Sequence, residues 1–155
     1  MKMNDLGTAI LNTYNTYNHY GNENGMRYTI LHPGEIEYEF EIQEQHLSNP
    51  FAAHGGAIAG FMDAVLGVSA LSLAANDGNL VSTVQFQINY FAPIQLGDQL
   101  IGKGSIDFKG KSIIVSSAQI FKKAENKLVA KGTGTFNAYP VNKSPIYQML
   151  FPEQK

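Results

Sequence analysis

The 155-residue sequence contains no cysteine and no tryptophan. The absence of cysteine excludes disulfides, thiolate metal sites and cysteine nucleophiles, and it is compatible with the reducing cytoplasm, where we expect the protein to act. Charged residues make up only 15%, and the eleven Lys and Arg are scattered rather than clustered, which argues against a nucleic-acid partner. The N-terminal segment lacks the apolar region and cleavage site that are typical of a signal peptide. With 44% hydrophobic residues, the chain can form a sizeable core.

The length suits one domain, and we expect it to cover residues 1–140, followed by a loosely held tail over 141–155. One almost uncharged segment, residues 55–75, is long enough on paper to span a bilayer. However, Asp63 lies near its middle, where a carboxylate would cost roughly 2.5–3.5 kcal/mol in a membrane. No basic cluster flanks the segment either. We therefore predict a buried helix of a water-soluble protein and no contact with a membrane.

The remaining periodicity predicts an α+β protein whose antiparallel sheet wraps around this one long helix. A spacing of three to four apolar residues over 5–20 favours a short N-terminal helix. Residues 35–42 alternate strictly between apolar and acidic side chains, which predicts a half-buried strand paired with residues 26–31. Four further strands are predicted over 81–91, 100–108, 112–121 and 128–139. A single sheet would leave a face and edges uncovered, so a homo-oligomer is expected.

Candidate chemistry converges on the long helix. His54, Gly55 and Gly56 stand at its predicted start, where unpaired amides carry partial positive charge and glycines let a carbonyl oxygen approach closely. Asp63 is the one carboxylate within the helix. A purely structural role for these residues stays open. Glycines also permit a tight turn, and a lone aspartate can form a hydrogen bond where the helix packs against a neighbour. Gly56 and Asp63 would lie about 10 Å apart along the axis, so one reacting carbon could reach both only between two antiparallel copies.

The run HGGAIAGFMDAVLG resembles the HGG-x6-D segment of PaaI-type (phenylacetate-degradation) hot-dog thioesterases, and STVQFQINYFAPIQLGDQL and KLVAKGTGTF are similar to later strands of that family. The resemblance implies a hot-dog fold and hydrolysis of a small acyl- or aryl-coenzyme A. It implies that Asp63 acts as general base or nucleophile. A Gly55 or Gly56 amide would polarise the thioester carbonyl, and His54 would position that carbonyl or the loop. Thr83 falls where the family often has a hydroxyl near the attacking water.

The family also often has an asparagine six residues before the HGG histidine; here Ser48 holds that position and Asn49 follows, so a one-residue deletion would give Asn49 the water-positioning role. The resemblance further implies a dimer or a dimer of dimers (a homotetramer), with neither metal nor organic cofactor. Side chains proposed to contact substrate are Phe61, Met62 and Phe91 at the acyl end and Lys109 and Lys111 at the coenzyme A phosphates, although a solvated turn also explains the two lysines.

Three other functions stay open at the level of sequence. A hot-dog hydratase or dehydratase is disfavoured, because such enzymes pair a histidine with a further acid and this helix offers only Asp63. A non-catalytic acyl-coenzyme A or lipid-binding protein would need the same cleft. A purely structural oligomer would bind no coenzyme A.

Overall fold

The computed structural model describes residues 1–152. Helices are α1 (Asp5–Tyr17), α2 (His19–Glu23), α3 (Gly55–Ala75) and α4 (Ile146–Leu150), with single 3-10 turns at Glu44–His46 and Val141–Lys143. Strands are β1 (Arg27–His32), β2 (Glu35–Glu41), β3 (Leu47–Asn49), β4 (Ala52–Ala53), β5 (Asn79–Tyr90), β6 (Gln99–Lys109), β7 (Ile113–Lys122) and β8 (Lys127–Pro140). The predicted succession of an N-terminal helix, two strands, one long helix and four strands is confirmed, whereas α2, β3, β4 and α4 were not predicted.

Six strands form one antiparallel sheet in the order β1-β2-β6-β7-β8-β5, and β3 pairs separately with β4. The sheet wraps around α3, which packs against β2, β5, β6, β7 and β8. Alternate residues of β2 face this helix, as the sequence predicts: Ile36, Tyr38 and Phe40 are buried, and Ile42 follows them into the core. The α+β architecture with one central helix is therefore confirmed.

Helix α3 is long and apolar enough to cross a membrane by length and composition, yet 61% of that apolar stretch is buried inside the protein. The buried hydroxyls of this helix are all paired. Ser69 Oγ donates to the Val65 carbonyl at 2.8 Å, and Ser72 Oγ accepts the Gly34 amide at 2.8 Å. Because burying an unpaired polar group costs free energy, these bonds let a helix with two buried serines form the core.

The helix approaches β6 closely because two glycines of that strand face it. A Cβ at Gly102 would come within 2.4 Å of Val65 Cγ2, and one at Gly104 within 2.1 Å of Ser69 Oγ. No real side chain tolerates such contacts. These two positions fix the distance between α3 and the sheet, and larger residues there would push the helix outward.

On its other side α3 is covered by the N-terminal segment, which runs antiparallel to it. At one end Asn4 donates from its backbone and side-chain nitrogens to Asn76, which caps the C-terminus of α3. At the opposite end the ring of Tyr20 lies against Gly60, where a Cβ would be 2.1 Å from the tyrosine hydroxyl. The single helix predicted over 5–20 is in fact two, because the Asn18 side chain caps a new turn by accepting the Gly21 amide.

The segment after Pro140 is more firmly held than the predicted loose tail. Val141 is buried, and its amide donates to the Gly78 carbonyl at 2.9 Å. Ile146 and Leu150 pack with Ile10 of α1 in a second, smaller apolar cluster. The predicted tail over 141–155 thus contains residues that pack on the domain, and its residues 153–155 lie outside the described part of the chain.

Strand β5 forms one edge of the sheet and exposes large apolar side chains to solvent. Val84 is 59% exposed and Tyr90 50%, and Phe91 and Leu96 follow in the next loop with similar exposure. The register of β5 against β8 shifts between Thr83 and Gln85, so Val84 is an extra residue. A β-bulge of this kind reverses the alternation of side chains along the strand.

Candidate active site

Asp63 and Thr83 form the polar pair at the centre of the candidate site. Thr83 Oγ1 donates to Asp63 Oδ1 at 3.0 Å. Asp63 is half-buried on α3 and Thr83 is exposed on β5. The hydroxyl therefore holds one carboxylate oxygen, and the second oxygen has no hydrogen bond from residues 1–152 and can accept one from water.

The bulge at Val84 explains how Thr83 reaches the helix. Strict alternation along β5 would place Thr83 on the face opposite Phe86 and Ile88, which is what the sequence pattern predicts. In the structure Phe86 and Ile88 pack against the core, and Thr83 also points toward α3. One extra residue between Thr83 and Gln85 allows both orientations. The hydrogen bond from Thr83 to Asp63 therefore depends on the bulge at Val84.

The start of α3 leaves one backbone amide available. His54 is the N-cap, and its Nδ1 accepts the Gly56 amide at 2.8 Å. The His54 carbonyl accepts the Ala57 amide at 3.0 Å. Among residues 1–152 no atom accepts a hydrogen bond from the Gly55 amide. Both glycines are solvent-exposed. Of the two glycines that the sequence leaves open, Gly55 therefore has the amide free to bind a ligand oxygen.

Two further residues fix this helix start, and the sequence pattern gave no signal for either. Tyr90 Oη donates to the Gly55 carbonyl at 2.8 Å, which fixes the orientation of the Gly55 peptide. His46 is buried, its carbonyl accepts the His54 amide at 2.7 Å, and its ring packs edge-on against Phe40. Burial lowers the pKa of His46. His46 Nδ1 accepts the Gln43 amide at 2.9 Å, so the neutral ring carries its proton on Nε2, which faces Asn24 Oδ1.

A tyrosine cluster lies behind Asp63. The ring of Tyr28 of β1 lies between those of Tyr14 of α1 and Tyr38 of β2. Its centroid is 6.4 Å from that of Tyr14, in a tilted pair, and 5.3 Å from that of Tyr38, in an edge-to-face pair. Burial, with smaller contributions from the neighbouring tyrosines and Asp63, raises the pKa of Tyr14. Burial raises the pKa of Tyr38 to about 12. Both hydroxyls therefore stay protonated at neutral pH and cannot act as bases.

Asn49 is the last residue of β3, directly before the turn to β4. Its Oδ1 accepts the Phe51 amide at 2.9 Å, and its Nδ2 lies 3.3 Å from Ser48 Oγ. Both Asn49 and Ser48 are exposed. In the single chain the Asn49 side chain thus stabilises its own turn, and its water-positioning role stays a prediction.

The five predicted substrate contacts lie in different places. Phe61 and Met62 are fully buried, and Phe61 packs against Phe40 with ring centroids 5.1 Å apart, so both are core residues of the single chain. Phe91 is 55% exposed beyond β5. Lys109 pairs with Asp77 just after the C-terminus of α3, the end opposite Gly55, and Lys111 is exposed in the next turn. The contacts of these five residues with substrate stay predictions.

The sequence matches the model of the thioesterase superfamily over residues 52–129. This match spans α3, including the helix start at Gly55, and the polar pair formed by Asp63 and Thr83. The chain belongs to the thioesterase superfamily. The predicted family and the predicted enzyme class, a thioester hydrolase, are thereby confirmed.

Relatives in sequence and structure agree with this membership. Acyl-coenzyme A thioesterase 13 of Homo sapiens is 28% identical over 104 residues, which cover 66% of this chain and 72% of that protein. A hypothetical thioesterase from Streptococcus pneumoniae TIGR4, solved with coenzyme A, has a TM-score of 0.67 and 25% identity over 74% of this chain and 86% of that one. The PaaI protein of E. coli has a TM-score of 0.72 over 87% of this chain and 96% of its own, and at 19% identity it supports the hot-dog fold alone.

Proposed function

We propose that this thioesterase hydrolyses an acyl-coenzyme A thioester, with Asp63 as general base and the Gly55 amide as oxyanion donor. The hydrogen bond from Thr83 to Asp63 is the observation that supports this most directly, because it orients a carboxylate with one oxygen left for water. Two relatives support the substrate class: the human one is an acyl-coenzyme A thioesterase, and the S. pneumoniae structure holds coenzyme A. The proposed reaction needs neither a metal nor an organic cofactor.

The proposed site combines two copies of the chain. Gly55 and Asp63 are eight residues apart on α3, which corresponds to about 12 Å along the helix axis. A thioester carbonyl carbon cannot contact both groups of one helix. In an antiparallel dimer, Gly55 of one copy would face Asp63 of the other, giving two equivalent sites. The exposed apolar edge strand β5, which also carries Thr83 and Tyr90, supports docking of a second copy along this edge.

The proposed chemistry follows from these groups. The free Asp63 oxygen takes a proton from water as the water oxygen attacks the thioester carbon. The negative charge that develops on the carbonyl oxygen is stabilised by the Gly55 amide at the positive end of α3. The C–S bond then breaks, and the proton passes to the departing sulfur, which gives free acid and coenzyme A. Thr83 keeps the carboxylate oriented throughout.

Release of free thiol from a panel of acyl-coenzyme A substrates tests the activity. We expect turnover with small acyl or aryl groups. Tight binding without thiol release would instead identify an acyl-coenzyme A-binding protein. Single-turnover hydrolysis in labelled water distinguishes the general base from a nucleophilic Asp63, since only an anhydride intermediate places the label on the Asp63 carboxylate.

Mixing two inactive variants tests the shared site. Asp63→Asn removes the base, and Gly55→Pro removes the amide proton at a helix position that accepts proline. His54, which precedes it, already has φ −66° and ψ 134°, the conformation that a residue before proline prefers. A mixed dimer of the two variants has one site with both native groups, so we expect activity to return after subunit exchange. If exchange is shown by mass and no activity returns, the shared site is refuted.

A further inference from the structure

A crevice of about 260 Å³ opens beside Asp63 within a single chain. Ten of its twelve lining residues are apolar or aromatic, and the other two are Asp63 and Thr83. The crevice is thus lined by the polar pair and otherwise by apolar or aromatic residues. A thioester whose carbonyl lies at Asp63 could extend its acyl group into this space.

The crevice exists because α3 presents a glycine that no neighbour fills. At Gly60 the ring of Tyr20 occupies the space that a side chain would take. At Gly67, which lies one turn beyond Asp63 on the same face, the nearest atom to an added Cβ is Phe136 Cε1 at 3.5 Å, an ordinary contact distance. A methyl group therefore fits at Gly67 without displacing a neighbour, and Gly67 lines the crevice.

We infer that this crevice binds the acyl group of the substrate and limits it to a single aromatic ring or a chain of medium length. The inference rests on the proposed function. An apolar cavity of roughly 150 Å³ is enough to bind benzene. The crevice is larger than this by less than a factor of two, so it accommodates a ring with a short linker and is too small for a long fatty acyl chain.

Five of the twelve lining residues lie outside residues 52–129, the part that matches the family: Ile10 and Tyr14 of α1, Phe136 and Tyr139 of β8, and Ile146 of α4. Tyr14 of α1 forms one wall, and Ile146 of α4 forms another. Both are half-buried and hold their positions through packing on α3 and the smaller apolar cluster. Chain-length preference in this protein is therefore set by its N- and C-terminal helices.

Kinetics with butyryl-, octanoyl-, phenylacetyl- and palmitoyl-coenzyme A test the capacity of the crevice. The wild type should prefer octanoyl and phenylacetyl over palmitoyl. Gly67→Ala adds one methyl group to the crevice and replaces a helical glycine by the best helix former, so the fold is retained. We expect kcat/KM for octanoyl to fall about tenfold relative to butyryl, the usual effect of one methyl group in an apolar pocket. A wild-type preference for palmitoyl, or an unchanged ratio in Gly67→Ala, overturns the inference.

A matched pair of variants on α4 tests the wall. Ile146 and Leu150 are both half-buried and pack on the same smaller cluster, but only Ile146 lines the crevice. Ile146→Ala should raise kcat/KM for palmitoyl relative to butyryl at least fivefold. Leu150→Ala should lower Tm by about as much as Ile146→Ala does. It should leave the ratio of kcat/KM for palmitoyl to that for butyryl unchanged. Equal ratios in the two variants would contradict the assigned wall.

A thermal-shift measurement separates failure of the inference from failure of the proposed function. If the wild type releases no thiol from any substrate, the hydrolase proposal is refuted. The rise in Tm that each acyl-coenzyme A produces still reports binding. A larger rise with octanoyl than with palmitoyl, reduced in Gly67→Ala, supports the crevice as the acyl site. A rise that is independent of the acyl group overturns it.

Discussion

The hydroxyl of Thr83 donates a hydrogen bond of 3.0 Å to the carboxylate of Asp63, and this bond joins strand β5 to helix α3 in the wall of the apolar crevice. The two residues are twenty positions apart in sequence. A bonded carboxylate beside an apolar cavity is an arrangement suited to activating one water against a bound acyl group. Tyr90 and His46 hold the start of α3, the second part of the candidate site.

Asp63→Asn should lower kcat by at least about a hundredfold, because the amide cannot take a proton from water. Tm should change little, since the amide oxygen can still accept from Thr83. Asp77→Asn is the matched control, a carboxylate just beyond the other end of the same helix that pairs with Lys109. It should keep wild-type turnover. Full activity in Asp63→Asn would remove Asp63 from the mechanism.

Thr83→Val should lower kcat roughly tenfold, because a hydrogen bond to a charged group contributes about 1.5–3 kcal/mol and part of it is retained by water. Thr83→Ser keeps the hydroxyl and should stay within about threefold of the wild type. KM should change less than kcat in both variants. Equal activity of the Val and Ser variants would show that the bond has no catalytic role.

The sequence was sufficient to predict the elements whose side-chain periodicity is simple. The alternation at Ile36, Tyr38 and Phe40 identified β2 and its buried face, and the apolar run with a lone Asp63 identified α3. The glycines before Asp63 located the helix start. In each case the pattern and the structure follow the same period, so no tertiary contact was needed to interpret it.

Other parts of the site depend on contacts that no period reveals. The bulge at Val84 changes which side of β5 faces α3, so alternation places Thr83 on the wrong face. Tyr90 resembles any strand tyrosine until its hydroxyl reaches Gly55. Val141 and Ile146 follow a proline in a segment with little pattern, and packing against α1 holds them. Phe61 is fully buried in the single chain, and its contact with substrate stays a prediction.

A pair of substitutions at Gly55 tests the oxyanion donor directly. Gly55→Ala keeps the amide proton, and its added Cβ would meet the Tyr90 hydroxyl at 3.7 Å, an ordinary contact. Gly55→Pro removes the proton. We expect kcat to stay within about threefold in the Ala variant and to fall by roughly a hundredfold or more in the Pro variant, as for loss of other oxyanion donors. Similar kcat in both variants would assign this role elsewhere.

Tyr90→Phe should affect catalysis more than stability. Its hydroxyl bonds the Gly55 carbonyl near the surface, where water can replace it, so Tm should fall only slightly. The Gly55 peptide would then be less well oriented, and we expect kcat to fall about three- to tenfold with KM nearly unchanged. Tyr17→Phe, at an exposed tyrosine of α1, is the control and should match the wild type. A change in KM alone would indicate a substrate contact.

Protein stability should decrease on acidification because of His46. Burial lowers the pKa of this ring, and its Nδ1 accepts the Gln43 amide, so the folded state favours the neutral form. In the unfolded chain His46 has the ordinary histidine pKa of about 6.5, so the unfolded chain binds the proton at a higher pH than the folded protein does. The free energy of unfolding therefore falls as the pH decreases below about 6.5. Above that pH His46 makes no contribution to the pH dependence. Urea midpoints measured from about pH 8 down to about pH 5 should show this slope. His46→Asn can still accept the Gln43 amide and should have a shallower slope, whereas equal slopes would show that His46 does not titrate differently on folding.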